Sequence, residues 1–129
     1  MTQQTSVQTK AASLNGELAL LNGGYINRYS GTQPASTTAS LGAAVLLCTN
    51  ALNATAFATT TTNTATANAI TAATAIATGT ATFYRAYDSS NICHRQGSVG
   101  TADADLIMAN PNIIEGGNCT ITSWTVTQG

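Results

Sequence analysis

The chain reads as an all-β domain, an antiparallel β-sandwich of jelly-roll-like type carried behind a short N-terminal helix or arm over residues 1–24. Two observations predict this. From Gly79 to Thr127 short runs rich in Thr, Tyr, Val and Ile alternate with turn clusters such as Asp88-Ser-Ser-Asn91 and Gly97-Ser-Val-Gly-Thr101. The 129 residues also match one domain, long enough to bury a core without metal or disulfide support. The whole chain, 1–129, is therefore taken as a single unit.

The elements follow in order. Leu14, Leu18 and Leu21 fall at helical spacing within Ala11–Leu21, and Asn22-Gly-Gly24 supplies a helix stop. Tyr25–Tyr29 is strand-like and ends at Ser30-Gly-Thr-Gln-Pro34, with a surface loop over 34–40. Leu41–Thr49 fits a buried strand. Residues 54–82 are dominated by Ala, which favours helix, and Thr, which favours strand. The period-two alternation of Thr64-Ala-Thr-Ala-Asn-Ala69 and Ala77-Thr-Gly-Thr-Ala-Thr82 decides for strand, with Thr59–Asn63 as the turn and Phe57, Ile70 and Ile76 as buried anchors. Gly79–Tyr87, Ile92–Gln96, Ala104–Met108 and Cys119–Thr127 complete the strands.

Composition excludes several classes of function. Charged residues make up 7% of the chain, against roughly 25% in an average soluble domain. The four basic residues, Lys10, Arg28, Arg85 and Arg95, are scattered, so nothing resembles the cationic cluster that neutralises phosphates, and no nucleic-acid partner is expected. No run approaches the roughly 20 apolar residues of a spanning helix, and the first ten residues lack a secretory pattern, so no membrane partner is expected either. A near-neutral surface of hydroxyls and amides has little charge repulsion, which favours self-association. With the polar stretch Met1–Lys10 read as an arm onto a neighbour, the expectation is a closed homo-oligomer, a trimer.

Candidate chemistry is sparse. Cys48, Cys93 and Cys119 are widely spaced with His94 as the single companion ligand, which argues against zinc. Two readings of them stand: three buried small hydrophobes, or an intersubunit disulfide through Cys93 or Cys119, near strand ends, with Cys48 the more buried. His94, without a recognised acid or nucleophile beside it, reads as a strand residue. Asp103 and Asp105 read as a side-chain-capped turn rather than a calcium loop. Arg85, inside an aromatic strand, calls for a partner among Asp88, Asp105 or Glu115, or else lies on the wet face. Tyr25, Tyr29, Tyr84, Tyr87 and Trp124 read as core or interface residues, the alternative being an aromatic platform for sugars. A flat threonine array of the ice-binding kind would need a fixed repeat period, which is missing. No cofactor and no catalytic residue is assigned.

Four blocks, Tyr29-Ser-Gly-Thr-Gln-Pro34, Gly79-Thr-Ala-Thr-Phe-Tyr-Arg85 with Asp88-Ser-Ser90, Gln96-Gly-Ser-Val-Gly-Thr101 with Ala104-Asp-Leu106, and Gly116-Gly-Asn-Cys-Thr-Ile-Thr-Ser-Trp124, resemble small virion proteins of tailed bacteriophages. The resemblance implies a non-enzymatic β-sandwich subunit made in the bacterial host cytoplasm and placed on the outer surface of the virion. Capsid decoration, the cementing of an assembled head by contact with the major capsid protein, is the first role it implies. A neck, collar or tail component is the second, and a glycan-binding host-attachment module is the alternative from another class. The three cysteines and the Ala- and Thr-rich middle depart from the family pattern.

Overall fold

A computed structural model describes residues 6–108 and 110–127. One helix, α1 (Val7–Ala19), precedes eleven strands: β1 (Tyr25–Ser30), β2 (Val45–Ala51), β3 (Thr64–Thr66), β4 (Ala73–Thr74), β5 (Gly79–Thr80), β6 (Phe83–Tyr87), β7 (Cys93–Gly100), β8 (Leu106–Ile107), β9 (Asn112–Ile113), β10 (Asn118–Cys119) and β11 (Ser123–Thr127). The protein is mostly β, as the strand pattern predicts. Seven strands form one sheet in the order β2-β1-β6-β7-β8-β11-β3, and the pairs β10-β4 and β5-β9 form two small sheets. All pairs are antiparallel except β7 and β8.

The helix starts earlier than the leucine spacing implies, because the Ser6 hydroxyl caps it by accepting from the Thr9 amide at 3.1 Å. It thereby takes in Val7–Lys10, the last four residues of the stretch read as an arm; residues 1–5 lie outside the described residues. Gly23, at φ +70°, ends it in the left-handed conformation common after helices.

Other boundaries move for local reasons. Residues 41–44 turn rather than extend, with the Ala44 amide donating to the Leu41 carbonyl, so β2 begins at Val45. Gly97–Thr101, read as a turn, instead completes β7 through Gly100, and residues 101–105 loop back so that β8 runs parallel beside it. The Cys119–Thr127 run is split, because the amide of Thr122 donates to Ile107 while β10 pairs with β4. The Ala/Thr-rich segments do form strands, but short ones, Thr64–Thr66, Ala73–Thr74 and Gly79–Thr80, with Ala67 adding an isolated bridge to Phe57.

Register fixes which side chains share a face. Ile26, Arg28, Cys48, Asn50, Tyr84, Ala86, Arg95 and Gly97 occupy adjacent pairing positions on one face of the central sheet. The helix lies on this face, bringing Leu14, Leu18 and Leu21 against Ile26, Tyr84, Ala86, Leu106 and Trp124. A second cluster, Leu47, Cys48, Ala75, Ala81, Met108, Ile113 and Cys119, joins β2 to the small strands. The opposite face carries Tyr25, Asn27, Tyr29, Phe83, Arg85, Tyr87 and Gln96. Loop 31–44 covers part of it, held by Arg85 and Gln96.

Candidate functional site: a buried arginine beside two thiols

The chain's scarce charges are placed with care. Arg28 has no solvent exposure and makes no ion pair among the described residues. Its guanidinium donates instead to neutral acceptors: Nη2 to Asn50 Oδ1 and to Cys48 Sγ (3.4 Å), and Nη1 to the Thr120 carbonyl (3.1 Å) and Met108 Sδ (3.5 Å). Its Nε has no hydrogen-bond partner in this structure. Asn50, fully buried as well, completes the cluster by donating to the carbonyls of Thr71 (2.9 Å) and Cys119 (3.2 Å). One cation thus adds side-chain hydrogen bonds that join β1, already laddered to β2, to the segment around β10.

Cys48 and Cys119 meet in this cluster. Both are buried free thiols packed in the same apolar cluster. Burial pushes the Cys48 thiol up to about 12, with Cys119 adding to the rise and the Arg28 guanidinium pulling it back. The expectation that Cys119 stands at an accessible strand end is therefore corrected: β10 pairs inward with β4 and its cysteine is 3% exposed. Cys48 is buried as expected. Cys93 alone is half-buried, its thiol donating to the Arg95 carbonyl at 3.5 Å. An open cleft of about 240 Å³ is lined by Met108, Asn112, Ile113, Ile114, Asn118 and Cys119 among others.

Arg85 finds none of the three carboxylates proposed for it. Its side chain points to the face covered by loop 31–44, where it donates to Gln96 Oε1 (3.1 Å) and to the carbonyls of Ser36 (3.0 Å) and Ala39 (2.8 Å). Asp105 lies on the other face, its carboxylate accepting from the amide and hydroxyl of Ser98 while the Asp105 amide donates back to Ser98 Oγ. With Asp103 at φ +52°, that exchange folds the five-residue link between the parallel strands β7 and β8, the capped turn read from the sequence. Glu115 sits in the turn after β9, where its amide donates to Thr78 Oγ1.

Asp88 has a different partner. Its carboxylate accepts from the amides of Ser90 (2.8 Å) and Ile92 (3.0 Å) and contacts His94 Nε2 at 2.8 Å. His94 does therefore have an acid beside it, brought there by the β6–β7 hairpin, which a linear reading of the sequence missed. The group organises a turn: among the described residues no serine or threonine hydroxyl and no cysteine thiol bonds to either side chain. The Ile92 amide first, and the His94 ring second, hold the Asp88 carboxyl below the ordinary carboxylate value. A group with a depressed folded value stabilises above its unfolded value and loses that contribution as pH falls through the folded one. The hairpin amides of Ser90 and Ile92 are thus expected to keep their positions in NMR spectra at pH 5 and to move only in strongly acidic solution; movement already under way at pH 5 would show that the Asp88 carboxyl is not held low.

Gly97 explains its own identity. A β-carbon there would lie 2.5 Å from Asp105 Oδ2 and 2.8 Å from Tyr84 Cε1. Gly97→Ala is expected to cost about 2 kcal/mol, measured by urea unfolding, because it displaces the clasp that closes the β7–β8 link. A neutral result would mean the Asp105 side chain moves aside freely.

Of the aromatic residues, Tyr84 and Trp124 are core, packed edge to face with ring centres 5.4 Å apart. Tyr29 is buried and stacks on Phe83, and Tyr25 stacks on Tyr87 at 5.0 Å, so the latter pair presents ring edges more than an open platform. Arg95 reaches back to Glu17 of α1 in a two-pronged ion pair (2.7 and 3.0 Å) that fixes the helix on the sheet. Exposed apolar side chains stand on neighbouring segments at one side: Val45 on β2, Ile76, whose amide donates to Leu47, and Ile114, in the turn whose Gly116 amide donates to Ala75. Among the described residues no group of three or more His, Cys, Asp and Glu is placed to hold a metal, and no helix is long and apolar enough to cross a membrane.

No protein-family model matches the chain, and neither a curated protein nor a solved structure matches it.

Proposed function

We propose that this chain is a non-enzymatic structural subunit of a tailed-bacteriophage particle, acting as a capsid decoration protein that cements the assembled head as a homo-oligomer, a trimer. One observation carries the reading: the groups able to do chemistry are tied into the fold, while apolar side chains are left outside. Arg28 and Arg85 hold backbone carbonyls, Arg95 holds Glu17, and Asp88, His94 and Asp105 hold turns. Val45, Ile76 and Ile114, by contrast, are about half or more exposed, Ile114 lining the open cleft, in a chain with few charges to keep copies apart. A subunit that binds only the assembled state stabilises that state by mass action, which requires surface and not catalysis.

The sugar-binding alternative draws less support, since four of the five aromatic rings offered for it are stacked on or packed against one another in pairs that close their faces. Immunogold electron microscopy of particles from the source of this sequence tests the proposal. Labelling distributed over the head supports it. Labelling confined to neck or tail, or particles without the protein, overturns it.

A further inference from the structure

Cys48 and Cys119, the second of which lines the cleft, have no role in the proposed function. Cys48 lies on β2 and Cys119 on β10, yet the two thiols meet in one apolar cluster and share Asn50, which accepts from the Cys48 thiol (3.5 Å) and donates to the Cys119 carbonyl (3.2 Å). Asn50 and Arg28 fix both ends of this contact. The Arg28 guanidinium is in contact with Cys48 Sγ and has no carboxylate partner among the described residues, so the sulfur is the nearby atom that its charge favours in anionic form. Cys119 lines the cleft, which gives a small reagent a path to one of the two sulfurs.

We propose that Cys48 and Cys119 are a built-in redox pair, which closes to an intrachain disulfide when the folded protein meets a low-molecular-weight organic disulfide through the cleft. The Cys119 thiolate attacks one sulfur of the reagent, forming a mixed disulfide and expelling one small thiolate. The Cys48 thiolate then attacks Cys119 Sγ, forming the intrachain bond and expelling the second. The cysteine pair is oxidised by two electrons, the reagent is reduced by two, and the two protons leave on the released small thiols. The bond staples the small sheets to the edge of the large one and closes a loop of about 70 residues, which restricts the unfolded chain strongly. The consequence is a protein that hardens on passing from a reducing to an oxidising medium, with no change of partner.

The test uses the full chain carrying Cys93→Ser, so that only the pair remains, incubated folded with 2-hydroxyethyl disulfide at pH 8.5. The expected result is loss of both thiols together, a mass lower by two hydrogens, a monomeric band on non-reducing gels, and a Tm raised by about 10 °C that reductant reverses. A stable adduct of the reagent as end product, a crosslinked dimer, or thiols that persist while the unfolded chain reacts fully would each overturn the proposal. Should Cys93→Ser fail to fold, peptide mapping of the oxidised wild-type chain decides: a Cys48–Cys119 peptide supports the pair, and bridges through Cys93 alone overturn it.

Discussion

Arg28→Ala is expected to lower the free energy of unfolding by about 4 kcal/mol, whereas Arg28→Met at the same position should lower it by less than about 2 kcal/mol. The alanine variant loses the largest charged side chain in the interior and leaves a void between the helix-covered core and the cluster around Cys48 and Cys119. It also removes the donor to the Thr120 carbonyl and strands one acceptor position on the fully buried Asn50. Methionine refills most of the volume and removes a cation that has no anionic partner among the described residues, so part of the desolvation penalty is recovered. Urea unfolding of the three proteins, compared at constant m-value, makes the measurement. Equal losses for alanine and methionine would show that the hydrogen bonds, and not the packing, carry the cluster.

Gly24→Ala should be nearly as damaging, at about 3 kcal/mol or more, although Gly24 sits at neither a positive φ nor a helix end. A β-carbon there would stand 2.1 Å from the Tyr87 carbonyl oxygen, 3.1 Å from Asp88 Cα and 3.1 Å from the Leu21 carbonyl oxygen. All three are backbone atoms, and none swings away as a side chain would. The glycine is also anchored, its amide donating to Leu21 and its carbonyl accepting from Leu52, both at 2.9 Å. Its neighbour is the control: at Gly23 a β-carbon meets nothing within 4 Å, and only the left-handed φ opposes alanine. Gly23→Ala should cost about 1 kcal/mol. If thermal melts rank the two variants the other way round, the close approach of β1 to the end of β6 is not what constrains this junction.

The sequence makes the strands legible where side chains alternate, and hides what depends on distant partners. Tyr25–Tyr29 and Gly79–Tyr87 declare themselves through aromatic and β-branched residues, and both strands form, the second broken at 81–82. Leu14, Leu18 and Leu21 likewise predict the buried stripe of α1. The Ala/Thr middle is only partly legible: alternation points to extended chain, but whether an alanine face finds a neighbour depends on short segments such as Asn118–Cys119 and Asn112–Ile113 that carry no periodic signal. The arginine cluster was out of reach. Arg28 sits in a strand beside Asn27 and Tyr29, where a wet-face position would look the same, and its partners Asn50 and Thr120 are 22 and 92 positions away. Arg85 shows the related failure: an interior cation suggests a carboxylate, yet three acceptors from an amide side chain and a loop serve it.

The sheet order has a bearing on the order of synthesis. β1 leaves the ribosome early but lies between β2 and β6, and β3 forms its ladder only with β11, at the far end of the chain. Trp124, the largest fully buried side chain, arrives on that last strand. In a nascent chain β1 is therefore paired on both edges only once β6 has emerged, and β3 stays without its ladder until β11 follows. Long-range pairing of this kind folds slowly and exposes open strand edges meanwhile. Yield of the protein in a host should for that reason depend more on temperature and holding chaperones than its small size suggests, and a stop codon placed before β11 should give an insoluble product instead of a smaller domain.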